Sequence, residues 1–93
     1  MIKTFRDGET ERLWKEEPTP RIPASLRKAA LKKLQLLNAA TALGELAVPP
    51  GNRLELLRAN RQGQYSIRIN DQFCICFEWR DGNAYRVEIT DCH

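Results

Sequence analysis

Residues 65–90 read YSIRINDQFCICFEWRDGNAYRVEIT, and their apolar side chains recur at every second position. Tyr65, Ile67 and Ile69 alternate with Ser66, Arg68 and Asn70. Phe73, Ile75, Phe77 and Trp79 alternate with Cys74, Cys76 and Glu78, and Tyr85, Val87 and Ile89 with Arg86 and Glu88. Period two is the signature of strands with one buried face. The breaks at Asn70-Asp71-Gln72 and Asp81-Gly82-Asn83 are short enough for antiparallel hairpins. Read as three-residue loops, they set Ile69 opposite Phe73, Ile67 opposite Ile75 and Tyr65 opposite Phe77. The second hairpin then sets Trp79 opposite Tyr85, Phe77 opposite Val87 and Ile75 opposite Ile89. Every apolar residue lands on one face, and a one-residue slip would send that set to solvent. The opposite face carries Arg68, Cys74 and Thr90 in one row and Ser66, Cys76 and Glu88 in the next, with Cys92 and His93 at the strand's end.

Upstream the period is helical. Leu26, Ala30, Leu34, Leu37 and Thr41 form one stripe, in a helix that Pro23 or Ser25 opens and that runs without internal Gly or Pro toward Gly44. Asp7 is placed to cap a shorter helix through Lys15, which Pro18 and Pro20 end. Met1 to Phe5 reads as a strand, as does Arg53 to Leu57 ahead of the alternating region, and Val48 to Asn52 as a turn-rich connection. The fold class is α+β: two N-terminal helices packed on the apolar face of a curved antiparallel sheet. Trp14, Trp79, Tyr65, Tyr85 and Phe77 are expected in the core rather than stacked on bases.

Ninety-three residues, 42% hydrophobic and 29% charged, are expected to form a single domain spanning 1–93. A multi-domain enzyme is excluded. Mean hydropathy of -0.53 and the lack of any apolar run approaching about 20 residues argue against a membrane span. The start, Met1-Ile2-Lys3-Thr4-Phe5-Arg6, has no leader pattern, so the expectation is a cytoplasmic protein with three reduced thiols.

The net charge of +3 is regional. Arg21, Arg27, Lys28, Lys32 and Lys33 lie between Pro18 and Gly44 with no acid among them. Arg53, Arg58, Arg61 and Arg68 follow against a single Glu55, and the stretch from Asp71 onward turns acidic. Lys28 and Lys32 share a helix face that could steer the domain toward phosphates. Cys74, Cys76 and Cys92 with His93 invite a zinc reading. Side chains at i and i+2 of a strand, however, stand about 7 Å apart, too wide for bonds of about 2.3 Å, so no metal is assigned. No nucleophile–base motif or phosphate loop occurs. What remains is a polar sheet face with guanidiniums, a carboxylate and an imidazole. Those groups suit cleavage of RNA, whose own 2′-hydroxyl is the nucleophile and which calls for no metal or other cofactor; residue types alone read equally as a solvated charged face.

Asn38-Ala39-Ala40-Thr41, Pro49-Pro50-Gly51-Asn52-Arg53-Leu54-Glu55, Gly63 through Gln72, and the ending Val87-Glu88-Ile89-Thr90-Asp91-Cys92-His93 together resemble the HigB toxins of the RelE/ParE superfamily. The resemblance spans nearly the whole chain. It implies a ribosome-dependent endoribonuclease acting on messenger RNA, inhibited by a HigA-like helix-turn-helix antitoxin, with operator DNA reached only through that antitoxin and no membrane involved. It implies catalytic roles for Arg58, Asp91 and His93, and RNA contacts from Arg53, Arg61, Arg68, Asn70, Lys28 and Lys32. Two positions depart. Members commonly carry Arg where Cys74 stands and Tyr where Cys92 stands, and a thiol replaces neither a permanent cation nor a stacking phenol. Some relatives also place His and Lys in the strand that here supplies Glu55 and Arg58. The expectation is an attenuated toxin. The alternative is an inactive module that only binds the antitoxin, and ParE-like gyrase inhibition stands third.

Overall fold

The computed structural model describes residues 1–57 and 63–91. Helix α1 (Gly8–Trp14) begins at Asp7, whose Oδ1 accepts the Thr10 amide at 2.7 Å, with Glu9 and Glu11 in the first turn where the helix dipole favours them. Helix α2 (Ala24–Ala39) follows the extended segment around Thr19 to Pro23. Four strands, β1 (Glu55–Leu56), β2 (Gln64–Arg68), β3 (Phe73–Arg80) and β4 (Asn83–Asp91), form one antiparallel sheet in the order β1-β2-β3-β4.

The expected stripe of α2 is buried at Leu26, Ala30, Leu34 and Leu37, which pack with Ile67, Ile75, Phe77 and Val87 into one core. Thr41 does not continue that stripe. The helix ends at Ala39, short of Gly44, and Thr41 is exposed. Its amide donates to Glu45 Oε1 at 2.8 Å and its hydroxyl to Oε2 at 3.1 Å. This side-chain bridge draws the chain out of the α-helix and into a 3-10 turn over Leu43–Ala47. The hydrogen bond from the Thr41 amide, followed by that from its hydroxyl, holds the Glu45 carboxyl below its usual range.

Beyond it, the fully buried Asn52 donates through Nδ2 to the carbonyls of Leu46 and Val48, each at 3.2 Å, and accepts a hydrogen bond from Lys33 Nζ. One of the five cations of the central basic stretch is therefore spent on the turn that delivers the chain to β1.

The first hairpin has the expected register. Arg68 pairs with Cys74, Ile67 with Ile75, Ser66 with Cys76 and Tyr65 with Phe77, and the Ile69 amide donates to the Phe73 carbonyl at 2.9 Å. The second matches at its far end, with Ile75 opposite Ile89 and Cys76 opposite Glu88, and then departs by one residue. Glu78 faces Tyr85, Trp79 faces Ala84 and Arg80 faces Asn83. The reason is the turn. Asp81 and Gly82 both have positive φ, 53° and 76°, so the hairpin closes on two residues as a type I′ turn rather than on three. A bulge then absorbs the difference, with Arg86 (φ 53°) and Val87 together opposing Phe77. The bulge returns Val87 to the core three residues after buried Ala84 and leaves Tyr85 outside it, against the expectation from alternation. Tyr85 instead lies beneath the Arg80 guanidinium, 4.3 Å from its ring centre.

Met1 to Arg6 runs parallel to β4, through bridges at Ile2–Ala84 and Phe5–Val87. At the bulge the Arg86 amide donates to Thr4 Oγ1 at 2.8 Å, where the main-chain ladder is interrupted.

At Gly82 an added Cβ would stand 3.1 Å from the Thr41 carbonyl oxygen, on a backbone whose φ already disfavours L side chains. Gly82→Ala is expected to cost about 1–2 kcal/mol. Urea unfolding checks it, through a lowered midpoint at unchanged slope.

Candidate functional site

Across the sheet from α2, the rows Arg68–Cys74–Thr90 and Ser66–Cys76–Glu88 occupy adjacent positions of three strands, as the alternation requires. Each is at the register position that burial of Ile67 and Ile75 dictates on the other face. Arg53, Glu55, Leu57, Ser66, Arg68, Cys74, Cys76, Thr90 and Asp91 line a cleft of about 170 Å³ on this face. Arg53 reaches it from the segment just before β1, held at φ 47° after the Pro50–Asn52 turn. Residues bearing two permanent cations, two hydroxyls and two carboxylates thus line one hollow whose floor is buried strand.

Three expected site residues, Arg53, Arg68 and Asp91, are brought together here, along with Cys74. Arg58, Arg61, Cys92 and His93 lie outside the described residues. Lys28 and Lys32 are exposed on α2, which packs on the opposite face of the sheet; Lys28 lines a groove with Leu13, Glu17 and Arg27. The fold does not bring these lysines to the cleft. Asn70 is exposed in the β2–β3 loop, and its Oδ1 accepts the amides of Gln72 at 2.9 Å and Phe73 at 2.8 Å. Its carbonyl group is therefore engaged in shaping the hairpin. Thr90, Ser66 and Glu55 were not singled out by motif, although the row pattern already placed Thr90 and Ser66 beside Arg68.

Cys74 is 5% exposed and disulfide-bonded, while Cys76 is a buried thiol. The expectation of three reduced thiols therefore fails at Cys74. Compartment sets the average redox state of cysteines, but the fold decides which sulfurs come within bonding reach. A second hollow, of about 430 Å³, lies beside α1 and is lined by Asp7, Glu9, Arg12 and Arg21 among others. It holds charges of both signs, and Glu9 and Arg12 in it pair with each other at 3.3 Å. No helix among the described residues is long and apolar enough to cross a membrane.

Residues 3–93 match the family model described as the RelE-like toxin of type II toxin-antitoxin system HigB. The chain belongs to this HigB-like toxin family. Among its relatives, Toxin HigB-1 of Vibrio cholerae serotype O1 is 41% identical over 85 residues, covering 90% of each chain. Endoribonuclease HigB of Proteus vulgaris is 31% identical over 97 residues, covering all of both. A solved YoeB–YefM complex from Staphylococcus aureus contains a chain of the same fold, with a TM-score of 0.57 at 18% identity over 100% of this chain and 98% of that one. The HigB-like fold of two helices on a four-stranded antiparallel sheet is thus the one expected from the alternating pattern, and the cleft occupies its helix-free face.

Because the Asn70 side chain caps the loop, its role in a HigB-like toxin can be separated from RNA contact by stability alone. Asn70→Asp keeps the acceptor and should melt within about a degree of the parent. Asn70→Ala leaves two amides without it and should lose about 1 kcal/mol. Thermal unfolding followed by circular dichroism checks both.

Proposed function

We propose that this HigB-like toxin is an endoribonuclease that cuts messenger RNA on the ribosome and is restrained by a HigA-like antitoxin. The observation that carries this reading is the convergence of Arg53, Arg68 and Asp91 on one cleft of the helix-free sheet face. The name of the Proteus vulgaris relative, Endoribonuclease HigB, supports the same reaction class. Cleavage by the RNA's own 2′-hydroxyl passes through a phosphorane carrying extra negative charge. Guanidiniums fixed on strands stabilise that charge without reorganising and cannot lose their proton at neutral pH. Arg68 sits on β2 at a position set by burial on the opposite face, which suits it to hold the scissile phosphate. Asp91 supplies a carboxylate at the end of β4 that can accept or orient the 2′-hydroxyl proton. Arg58 and His93 join the set as catalytic residues by resemblance; their chemistry suits the guanidinium to phosphate binding and the imidazole to proton transfer. Arg61 joins Arg53 and Arg68 in binding RNA. Lys28 and Lys32, on the far face, are assigned to steering the domain toward the ribosome.

The site is attenuated at Cys74. Its sulfur is tied in a disulfide where relatives commonly hold a cation, which favours as second reading a chain that keeps the antitoxin-binding fold but cuts slowly or not at all. Primer extension on one defined message in a reconstituted translation system decides between them. The chain as it stands and its Cys74→Arg/Cys92→Tyr variant are compared, each with and without dithiothreitol. The expected result is ribosome-dependent cutting by both, stronger by at least tenfold in the double variant. Cutting only by the variant supports the binding module, and cutting that appears on reduction alone assigns the restraint to the disulfide. No cutting by any of them overturns the ribonuclease reading.

A further inference from the structure

The cleft is not cationic throughout. Beside Arg53 and Arg68 it is lined by Glu55 and Ser66, which face each other across β1 and β2. On its other side Ser66 pairs with Cys76, in the row next to that of Arg68 and Cys74. Ser66 is 7% exposed, and among the described residues its hydroxyl has no hydrogen-bond partner. Buried hydroxyls are ordinarily paired, because leaving water without a replacement bond is costly. This one stands at the wall of a hollow, where the replacement can come from whatever enters.

We propose that Ser66 is a substrate-binding residue, which hydrogen-bonds a ribose 2′-hydroxyl on a nucleotide adjoining the one that attacks. The inference rests on the ribonuclease reading of the cleft and names the group recognised beside the phosphate. Glu55 selects a hydroxyl over a second phosphate. Its carboxylate faces Ser66, repels an anion and accepts from an O–H. A ribose hydroxyl donates and accepts at once, so it can satisfy Ser66 and Glu55 together, and it is the group that tells RNA from DNA. Spacing selects the nucleotide. Ser66 and Arg68 lie on one face of β2 at i and i+2, about 7 Å apart along the strand. The attacking hydroxyl must stand about 3–3.5 Å from the phosphorus that Arg68 holds, which leaves Ser66 to meet the next ribose.

The test is a double-mutant cycle between protein and message in ribosome-dependent cleavage, run on the chain as it stands or on the Cys74→Arg/Cys92→Tyr variant if only that cuts. Ser66→Ala and its parent are given a synthetic message that is all ribose, or that carries one 2′-deoxynucleotide on either side of the attacking nucleotide. On the all-ribose message Ser66→Ala should raise KM for programmed ribosomes about three- to tenfold, with kcat and the cut position unchanged. One of the two deoxy messages should cost the parent the same rise, and Ser66→Ala should add nothing to it. The thermal midpoint of Ser66→Ala should not fall, because the deleted hydroxyl has no partner in the free fold. An unchanged KM, an equal rise on all three messages, or a midpoint lowered by several degrees would overturn the contact and leave the cleft reading intact. Failure of every form to cut the all-ribose message would overturn the ribonuclease reading and the contact with it.

Discussion

Burial of Ile67, Ile75 and Phe77 beneath α2, with half-buried Ile89 packed against them, is the constraint on which the rest of the molecule depends. Ile67, Ile75 and Phe77 are fully buried, and because side chains alternate across a strand, their burial also decides what faces the other way. Arg68, Cys74 and Thr90 share a row only in the register that keeps these residues dry. A shift of one residue between β2 and β3 would expose an isoleucine on each strand and separate Arg68 from its row at the same time. Stability and the site's geometry are therefore one requirement.

The two faces of the sheet then divide the chemistry. The apolar face takes α2 and with it most of the central basic stretch, of which Lys33 is committed to Asn52 and Lys28 lies in a groove between the helices. The polar face keeps Arg53, Arg68 and Asp91 for the cleft. Net charge alone does not distinguish these populations. One is a solvated helix surface suited to long-range attraction, and the other is a set of guanidiniums standing on buried strand, where fixed geometry counts for more than charge. The Cys74 disulfide occupies the middle of the second population. It stands in the row beside Arg68, where the resemblance to HigB toxins leads to the expectation of a cation.

Much of this was legible in the sequence, and the failures have definite physical causes. The β2–β3 register followed from alternation because the Asn70-Asp71-Gln72 loop is as long as it was read. At its turn end the β3–β4 register differs by one from the alternating pattern, because Asp81-Gly82 favours a two-residue type I′ turn over the three-residue loop that alternation implies. The bulge at Arg86 then restored the register further along, which is why Cys76 and Glu88 pair as expected and Tyr85 does not enter the core. Helix α2 ended early because a tertiary-like bridge from Glu45 to Thr41 competes with a pattern that has no breaker before Gly44. Of the expected site residues, charge and strand position suffice to bring Arg53, Arg68 and Asp91 to one cleft. The capping role of Asn70 is not legible in this way, since it depends on where a side chain points out of a loop rather than on residue type.

Whether the cleft on the helix-free face or the basic surface of α2 carries the proposed chemistry is decided by comparing Arg68→Ala with Lys28→Ala/Lys32→Ala. The quantity measured is the cleavage rate at saturating ribosome-bound message, in the chain as it stands and in its Cys74→Arg/Cys92→Tyr variant. Arg68→Ala is expected to lose at least a hundredfold in rate, corresponding to about 2.7 kcal/mol of transition-state stabilisation. The lysine pair should retain its rate once the message is saturating and suffer only in apparent affinity. An Arg68→Ala protein that cuts at the parental rate, or a lysine pair that loses as much, would contradict the cleft reading.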